Sequence, residues 1–430
     1  MKLSFLVALF RKIEPLIAIF LLLVSVNLDV PPFLDSSLRL ARYGLIALLF
    51  FGICIGRWQQ IAYVMTRDLF PWLLILLGLF SISWSAASER TLDEMLPLIR
   101  DTIFGTYLAA RYAPKKLMYL VATTLGIGAL LSFFFIVAVP SYGTYFTDGD
   151  GSKALSGIYG HKQYFGLYMS MGAMTLLNAI LGDRKHRLLW LVCLCLTTLL
   201  IIFSYSKTSL LLLLIAIALL PLYRLLLSRR QYRRRVIITI SILFLIITIF
   251  TLIISNLETI VVDTLGKNLE FNGRVPLWNL GIQKGLERPW LGYGYAGFWH
   301  SDNGAFIVNN SWLEYMENDP RSFHFHNDFV EIFVQLGFAG LAGLFLSFIS
   351  LLLRTIYLIN ITQKREFFWI LQFIILAFLA AISGYKILLH RDFIWSLYVS
   401  MCFYTALECG RIKKKQRQSL TNKNFTTSSI

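Results

Sequence analysis

The sequence predicts an all-α polytopic membrane protein with about 12 transmembrane helices and one large helical loop, between the ninth and tenth, on a single face of the membrane. Three observations predict it. First, 57% of the 430 residues are hydrophobic and only 15% charged, against roughly 45–50% and about 25% in soluble domains. Second, the apolar residues come in long unbroken runs, which excludes disordered, collagen-like and disulfide-stapled chains along with a soluble multidomain enzyme. Third, the basic surplus behind the net charge of +16 sits in short segments between those runs. That pattern encodes orientation in a membrane and excludes nucleic acid as a partner.

A crossing helix needs about 20 apolar residues. Such runs occur near 13–30, 40–56, 69–86, 92–110, 117–139, 159–181, 188–204, 208–223, 236–256, 327–353, 367–388 and 392–409. The first follows Lys2, Arg11 and Lys12 without a small-residue cleavage site, so it reads as a retained span. The run at 92–110 carries Asp93, Glu94, Arg100 and Asp101, and either spans or lies flat in the interface. Spanning is what balances the charges. With both termini cytoplasmic, the inner segments hold 26 of the 40 Lys and Arg, including Arg229 to Arg235 as an anchor at the lipid headgroups. The five cysteines (Cys54, Cys193, Cys195, Cys402, Cys409) lie in or beside apolar runs and read as small buried hydrophobes.

The expected divisions are therefore 1–256 (spans one to nine), 257–326 (extracytoplasmic loop domain), 327–410 (spans ten to twelve) and 411–430 (a basic cytoplasmic tail, unstructured in its last dozen residues). Two outward segments are long enough to act, Pro140–Ile158 and Asn256–Phe325. The second holds helical-looking pieces at Arg274–Leu286 and Asn309–Glu317, predicting a small helical cap.

Several motifs lie in these segments. Gly292-Tyr-Gly294-Tyr-Ala-Gly297 spells G-x-G-x-x-G but lacks the strand and the following helix of a dinucleotide site, so it reads as a tight turn bringing backbone close to a neighbour. His324 and His326 stand at i and i+2 and point apart in regular structure, and no other His/Cys cluster completes a metal site. His326, where the loop enters the next span, can instead serve as a titratable base, or simply cap the helix. Charges inside or at the rims of spans are functional candidates. Arg100/Asp101 and Arg391/Asp392 read as mutual pairs, which leaves Lys386 and Lys207. The latter lies in the polar break Ser204–Ser209, and Arg274 begins an amphipathic piece with no acid within four residues. Cations, one histidine and the aromatics Tyr293, Tyr295, Trp299 and Trp312 on one face describe a site for an anionic, partly sugar-like ligand. Most of those aromatics also fit a headgroup belt. Gly337, Gly340 and Gly343, spaced three apart, read as helix packing.

The run His326-Asn327-Asp-Phe-Val-Glu-Ile-Phe-Val-Gln335-Leu-Gly337-Phe-Ala-Gly340 resembles the signature of the O-antigen ligase and polymerase superfamily. Gly273-Arg274 with Trp278, Pro289-x-Leu-Gly-Tyr-Gly-x-x-x-Phe298, Ser204-x-Ser206-Lys207-Thr208, Gly160-His161-Lys162-Gln163-Tyr164 and Trp84-Ser85 extend the likeness, nearest to the exopolysaccharide-polymerase branch. The resemblance implies a metal-independent, cofactor-free glycosyltransferase of GT-C type in the bacterial inner membrane, its site facing the periplasm. It implies a glycan donor on a polyprenyl (undecaprenyl) diphosphate, a glycan or lipid acceptor, and work beside a flippase and a chain-length regulator. By position His326 matches the essential histidine, Arg274 the loop arginine and Lys207 the basic residue after the serine motif. Ser206, His161, Lys162, Gln163 and Asn327 take supporting places. Lys207 replaces a more usual Arg, Gln163 an Asn, and Gln335 a frequent acid. A rival from another class is a flippase or exporter of the same lipid-linked sugars, though no two halves show matching broken spans. A receptor or scaffold is a more distant third.

Overall fold

The computed structural model describes residues 2–26, 40–49, 59, 61–146, 153–226, 237, 240–242, 244–245, 248–249, 274–315, 323–384, 390 and 392–427. The end of the predicted run 40–56 and most of 236–256 fall outside these, as do Arg229 to Arg235, Lys386, Arg391, Gly273 and the first part of the long loop.

The described chain is almost wholly helical: α1 (Lys2–Val24), α2 (Leu40–Leu49), α3 (Phe70–Phe80), α4 (Ser88–Arg111), α5 (Pro114–Ala138), α6 (Lys162–Gly182), α7 (Arg187–Phe203), α8 (Lys207–Ala218), α9 (Arg274–Glu287), α10 (Asp302–Asn309), α11 (Asp328–Thr362), α12 (Arg365–Ile382) and α13 (Phe393–Thr427). A two-stranded antiparallel ribbon, Thr144–Phe146 with Lys153–Leu155, is a small exception to the all-α expectation. Helices α5, α6, α11 and α12 are each long and apolar enough to cross a membrane; α2, α7, α8 and the stretch Phe70–Ser83 are shorter apolar helices.

The core lies around α12, whose Trp369 is fully buried and donates to Thr175 of α6 at 3.0 Å. Polar side chains tie the apolar helices together. Asn178 donates to Gln372 at 2.7 Å, and Gln372 donates to the Ala216 carbonyl at 2.8 Å, so α6, α12 and α8 are joined where no water competes.

The charged run at 92–110 lies within one helix, α4. It packs alongside α13, with Trp395 donating to Thr102 at 2.9 Å and Gly105 pressed against the Ser396 backbone. Its two buried charges are paired inside the fold. Arg100 binds Asp101 at 2.8 Å, the expected pair, but Arg42 also binds Asp101 at 2.9 Å. At the last turn Arg111 pairs with Glu14 of α1 at 2.5 Å. Of the cysteines, Cys193, Cys402 and Cys409 are buried as expected, while Cys195 is exposed and Cys54 lies outside the described residues. Two further expectations need correction. The tail is helical through Thr427, continuing α13 from its Lys-, Arg- and Gln-rich stretch at 411–418 rather than ending before the last dozen residues. The second loop helix is Asp302–Asn309, with a 3₁₀ turn at Trp312–Tyr315, rather than one helix from Asn309.

Candidate active site

The site forms where the starts of α6, α9 and α11 meet the end of α12. Asn327 caps α11, its side-chain oxygen accepting from Phe329 N at 3.0 Å and Val330 N at 3.4 Å. The cap lets the preceding residue leave helical geometry, and His326 takes φ +51°. That turn overrides the alternation predicted for i and i+2: the His324 and His326 rings lie 4.0 Å apart, centroid to centroid. Among the described residues no group of three or more His, Cys, Asp or Glu could hold a metal.

Gly384, just past α12, lies under His326. A β-carbon there would come within 3.2 Å of the His326 Cβ, and φ of +103° favours glycine. The Gly384 carbonyl also stands 3.3 Å from His324 Nε2. Arg274, first residue of α9 and buried, donates to the Ser383 carbonyl at 3.0 Å, placing a cation at the carbonyl end of α12. Removal from water, then the charges of His324, Arg274 and His161, hold His326 well below the ordinary imidazole value. The ring is therefore neutral, with a nitrogen able to accept a proton at physiological pH.

His161, Arg274, His324 and His326 thus share one neighbourhood. His161 caps α6 by accepting from Gln163 N at 3.2 Å, with Lys162 and Gln163 half-buried beside it. Ser206 is buried and bonds Ser209 at 2.7 Å, packing α8 against Gly166 of α6. Lys207 is exposed at the start of α8. It belongs to the same end of the bundle as His161, and no hydrogen bond or ion pair among the described residues joins it to Arg274 or His326.

The glycines explain how the loop reaches this position. α11 breaks at Gly337 (φ +63°, ψ −161°), and the carbonyls freed by the break accept from the loop: Tyr293 N to Val334 O and Gly294 N to Gln335 O, both 2.9 Å. In return Phe338 N donates to Pro289 O at 2.7 Å and Ala339 N to Trp290 O at 3.1 Å. From the other side Trp84 donates to Leu291 O at 3.1 Å and Thr91 to Tyr295 O at 2.7 Å. The G-x-G-x-x-G segment is a turn clamped between two helices. Gly337, read from sequence as packing alone, is the break that receives it.

Sequence reasoning also missed Glu331. Its carboxylate accepts from Trp299 Nε1 at 2.8 Å, Phe325 N at 3.0 Å and Gln335 Nε2 at 2.6 Å, fixing the His-bearing segment. The signal was an acid one turn into an apolar helix, at the position where a cap can hold it. Nearby, the hydrogen bond from Lys284 and then that from Tyr293 keep Glu287 below the usual carboxylate range, while burial pushes Tyr293 up to about 12.

Residues 191–345 match a family described as O-antigen ligase, a range that takes in Lys207, Arg274, His326 and Gly337. The chain is also 24% identical over 321 residues to the exopolysaccharide production protein ExoQ of Rhizobium meliloti (strain 1021), covering 70% of this chain and 69% of that protein. Both comparisons bear out the likeness to the O-antigen ligase and polymerase superfamily and to its exopolysaccharide branch. The chain thus combines helices long and apolar enough to cross a membrane with a region, residues 191–345, similar to the O-antigen ligase family.

Proposed function

We propose that the protein is a bacterial inner-membrane glycosyltransferase that polymerises glycan repeats carried on a polyprenyl diphosphate, with both termini cytoplasmic and residues 257–326 facing outward. The acceptor hydroxyl attacks the anomeric carbon, the bond from that carbon to the diphosphate oxygen breaks, and the hydroxyl proton passes to His326. Arg274 steadies the negative charge on the departing diphosphate, with Lys207 at the mouth of the site. Asn327, His161, Lys162, Gln163 and Ser206 support the walls. The protein would work beside a flippase and a chain-length regulator.

The observation that carries this reading is that His326, against Gly384, and Arg274, bonded to the Ser383 carbonyl, meet at one end of the bundle. Purified protein given lipid-linked repeats is expected to lengthen the glycan. His326→Ala is expected to stay folded and inserted while losing about 10²–10⁴ in rate, the usual contribution of a general base. Arg274→Lys keeps the charge and loses the bidentate fork, so it should retain part of the activity that Arg274→Ala loses. Full polymer yield from His326→Ala and Arg274→Ala would overturn the mechanism. Movement of substrate across the bilayer without longer glycan would make the protein a carrier.

Ligation to a lipid or protein acceptor is the second reading, favoured by the description of the family matched over 191–345. It shares donor and site and differs only in acceptor. The glycan that accumulates in cells lacking the protein separates the two.

A further inference from the structure

Helix α9 has three distinct sides. At about 100° of turn per residue, Gly281 and Gly285 share one face. This face is buried against the rings of Phe325 and Phe333. About 100° round lie Val275, Ile282 and Leu286, all exposed, Leu286 at 56%, with Asn279 at the border. About 100° further come Pro276, Gln283 and Glu287, also exposed. A helix wholly in water has no reason to divide its exposed surface into an apolar and a polar strip. One lying at a lipid–water boundary does.

The apolar strip is not isolated. It runs on to Trp290, 72% exposed, whose ring stands 5.9 Å from that of Phe338 on α11. Phe338 heads a line of exposed apolar side chains, Phe345, Leu346, Ile349 and Leu353, on a helix long and apolar enough to cross a membrane. The exposed strip of α9 is thus continuous with the surface that α11 shows to lipid, and it turns from that surface by way of a tryptophan, the residue type enriched at headgroup level.

We infer that α9 is an interfacial helix, its Val275–Ile282–Leu286 strip immersed in the acyl boundary of the bilayer and its Gln283–Glu287 strip in water. Immersion fixes the depth of its first residue, Arg274, at the level of lipid phosphates. That consequence rests on the proposed function, whereas the immersion itself does not.

The test uses the full chain in lipid nanodiscs, with Cys54, Cys193, Cys195, Cys402 and Cys409 replaced by Ala and an environment-sensitive fluorophore on Leu286→Cys or, as the control, Gln283→Cys. Lipids bearing a shallow doxyl group should quench the probe at 286 at least about twofold more than the probe at 283, and aqueous iodide should show the reverse order. Equal access of iodide to both probes overturns the inference in favour of a water-exposed cap. Protection of the 286 probe from both quenchers also overturns it, in favour of a protein partner. Trp290→Phe in the chain with its own cysteines gives a second measure: the doxyl-quenched part of the tryptophan emission should fall, and no change counts against immersion. Neither readout involves catalysis, so failure here leaves the proposed reaction untouched.

Discussion

Gly337→Ala is expected to be among the most damaging single-methyl additions in the molecule. The residue sits at φ +63°, ψ −161°, a conformation essentially confined to glycine. Holding an alanine there costs about 1–3 kcal/mol in backbone strain. The added carbon would also collide with the Trp290 backbone, so the loop must retreat. Retreat removes up to four hydrogen bonds between the loop and α11, those of Tyr293 N, Gly294 N, Phe338 N and Ala339 N. At about 1 kcal/mol each, partly recovered if α11 straightens and bonds to itself, the combined loss is about 3–6 kcal/mol. Gly410→Ala is the matched control, because nothing lies within 4 Å of its added carbon and it sits in a helix where alanine is favoured. Solubilised protein melts irreversibly as a rule, so the comparison should be the half-life of the folded, monodisperse fraction at one temperature. The expected order is Gly337→Ala much shorter than wild type and Gly410→Ala equal or longer. A Gly337→Ala protein as long-lived as wild type would refute the clamped-break argument.

Four further outcomes follow from the site and the helices around it. Because His326 is held below the ordinary imidazole value, its base form survives acidification, so the rate should hold as pH falls through about 6.5 and drop only below that. Replacing the largest neighbouring charge in His324→Gln should move that acid limb toward higher pH, and an unmoved limb would assign His324 a packing role only. Glu331→Gln turns one of the two acceptor oxygens into a donor, facing either Phe325 N or the pair Trp299 and Gln335, costing about 1–3 kcal/mol, and should lower kcat more than it raises KM for the lipid-linked donor. Asp101→Leu strips Arg42 and Arg100 of their shared carboxylate, and about 3–5 kcal/mol should disappear from the thermal resistance of the purified protein.

Run length alone made the long apolar helices legible, because crossing hydrocarbon demands uninterrupted apolar turns. His326 could be picked out where the loop enters a span, and Arg274 as a cation opening an amphipathic piece with no acid within four residues. The approach of His324 to His326 was not legible, since a two-residue spacing was read through regular geometry, and a positive φ at a non-glycine residue leaves no mark in composition. Arg42 of α2 joins Asp101 of α4 across 59 positions, and such a pairing is set by how those two helices meet, about which periodicity is silent. Gly337 was visible as a small residue, but its partners lie more than 40 positions upstream, so only the fold separates a break from a close helix contact. Lys207 shows how differently one residue reads from sequence and from structure. An isolated basic residue in a polar break signals a site from sequence, yet the same residue begins a helix in the open, where a solvated ammonium needs no partner.

The way the site is held together has a consequence for how it tolerates change. The loop is fastened to α11 by backbone donors and carbonyls, and toward α3 and α4 partly by side chains on backbone carbonyls, so most loop residues can vary without losing these bonds. What cannot vary is the geometry that exposes the groups: Gly292 and Gly294 at positive φ in the loop, and Gly337 in the helix. By contrast the segment that carries His326 is fixed by side chains, Asn327 at the cap, Glu331 behind it and Trp278, which donates to the Phe325 carbonyl at 2.7 Å. A substitution there shifts the imidazole relative to Arg274 without unfolding the clamp. Exposed loop residues outside the two glycines are therefore free to vary, whereas the cap, the buried acid and the indole set the spacing between His326 and Arg274. Exchanging Trp278 for Phe tests that division: packing is kept and one hydrogen bond to the Phe325 carbonyl is lost, so the chain should keep its melting behaviour while turnover falls. Equal loss of both would mean that the two fastenings are one.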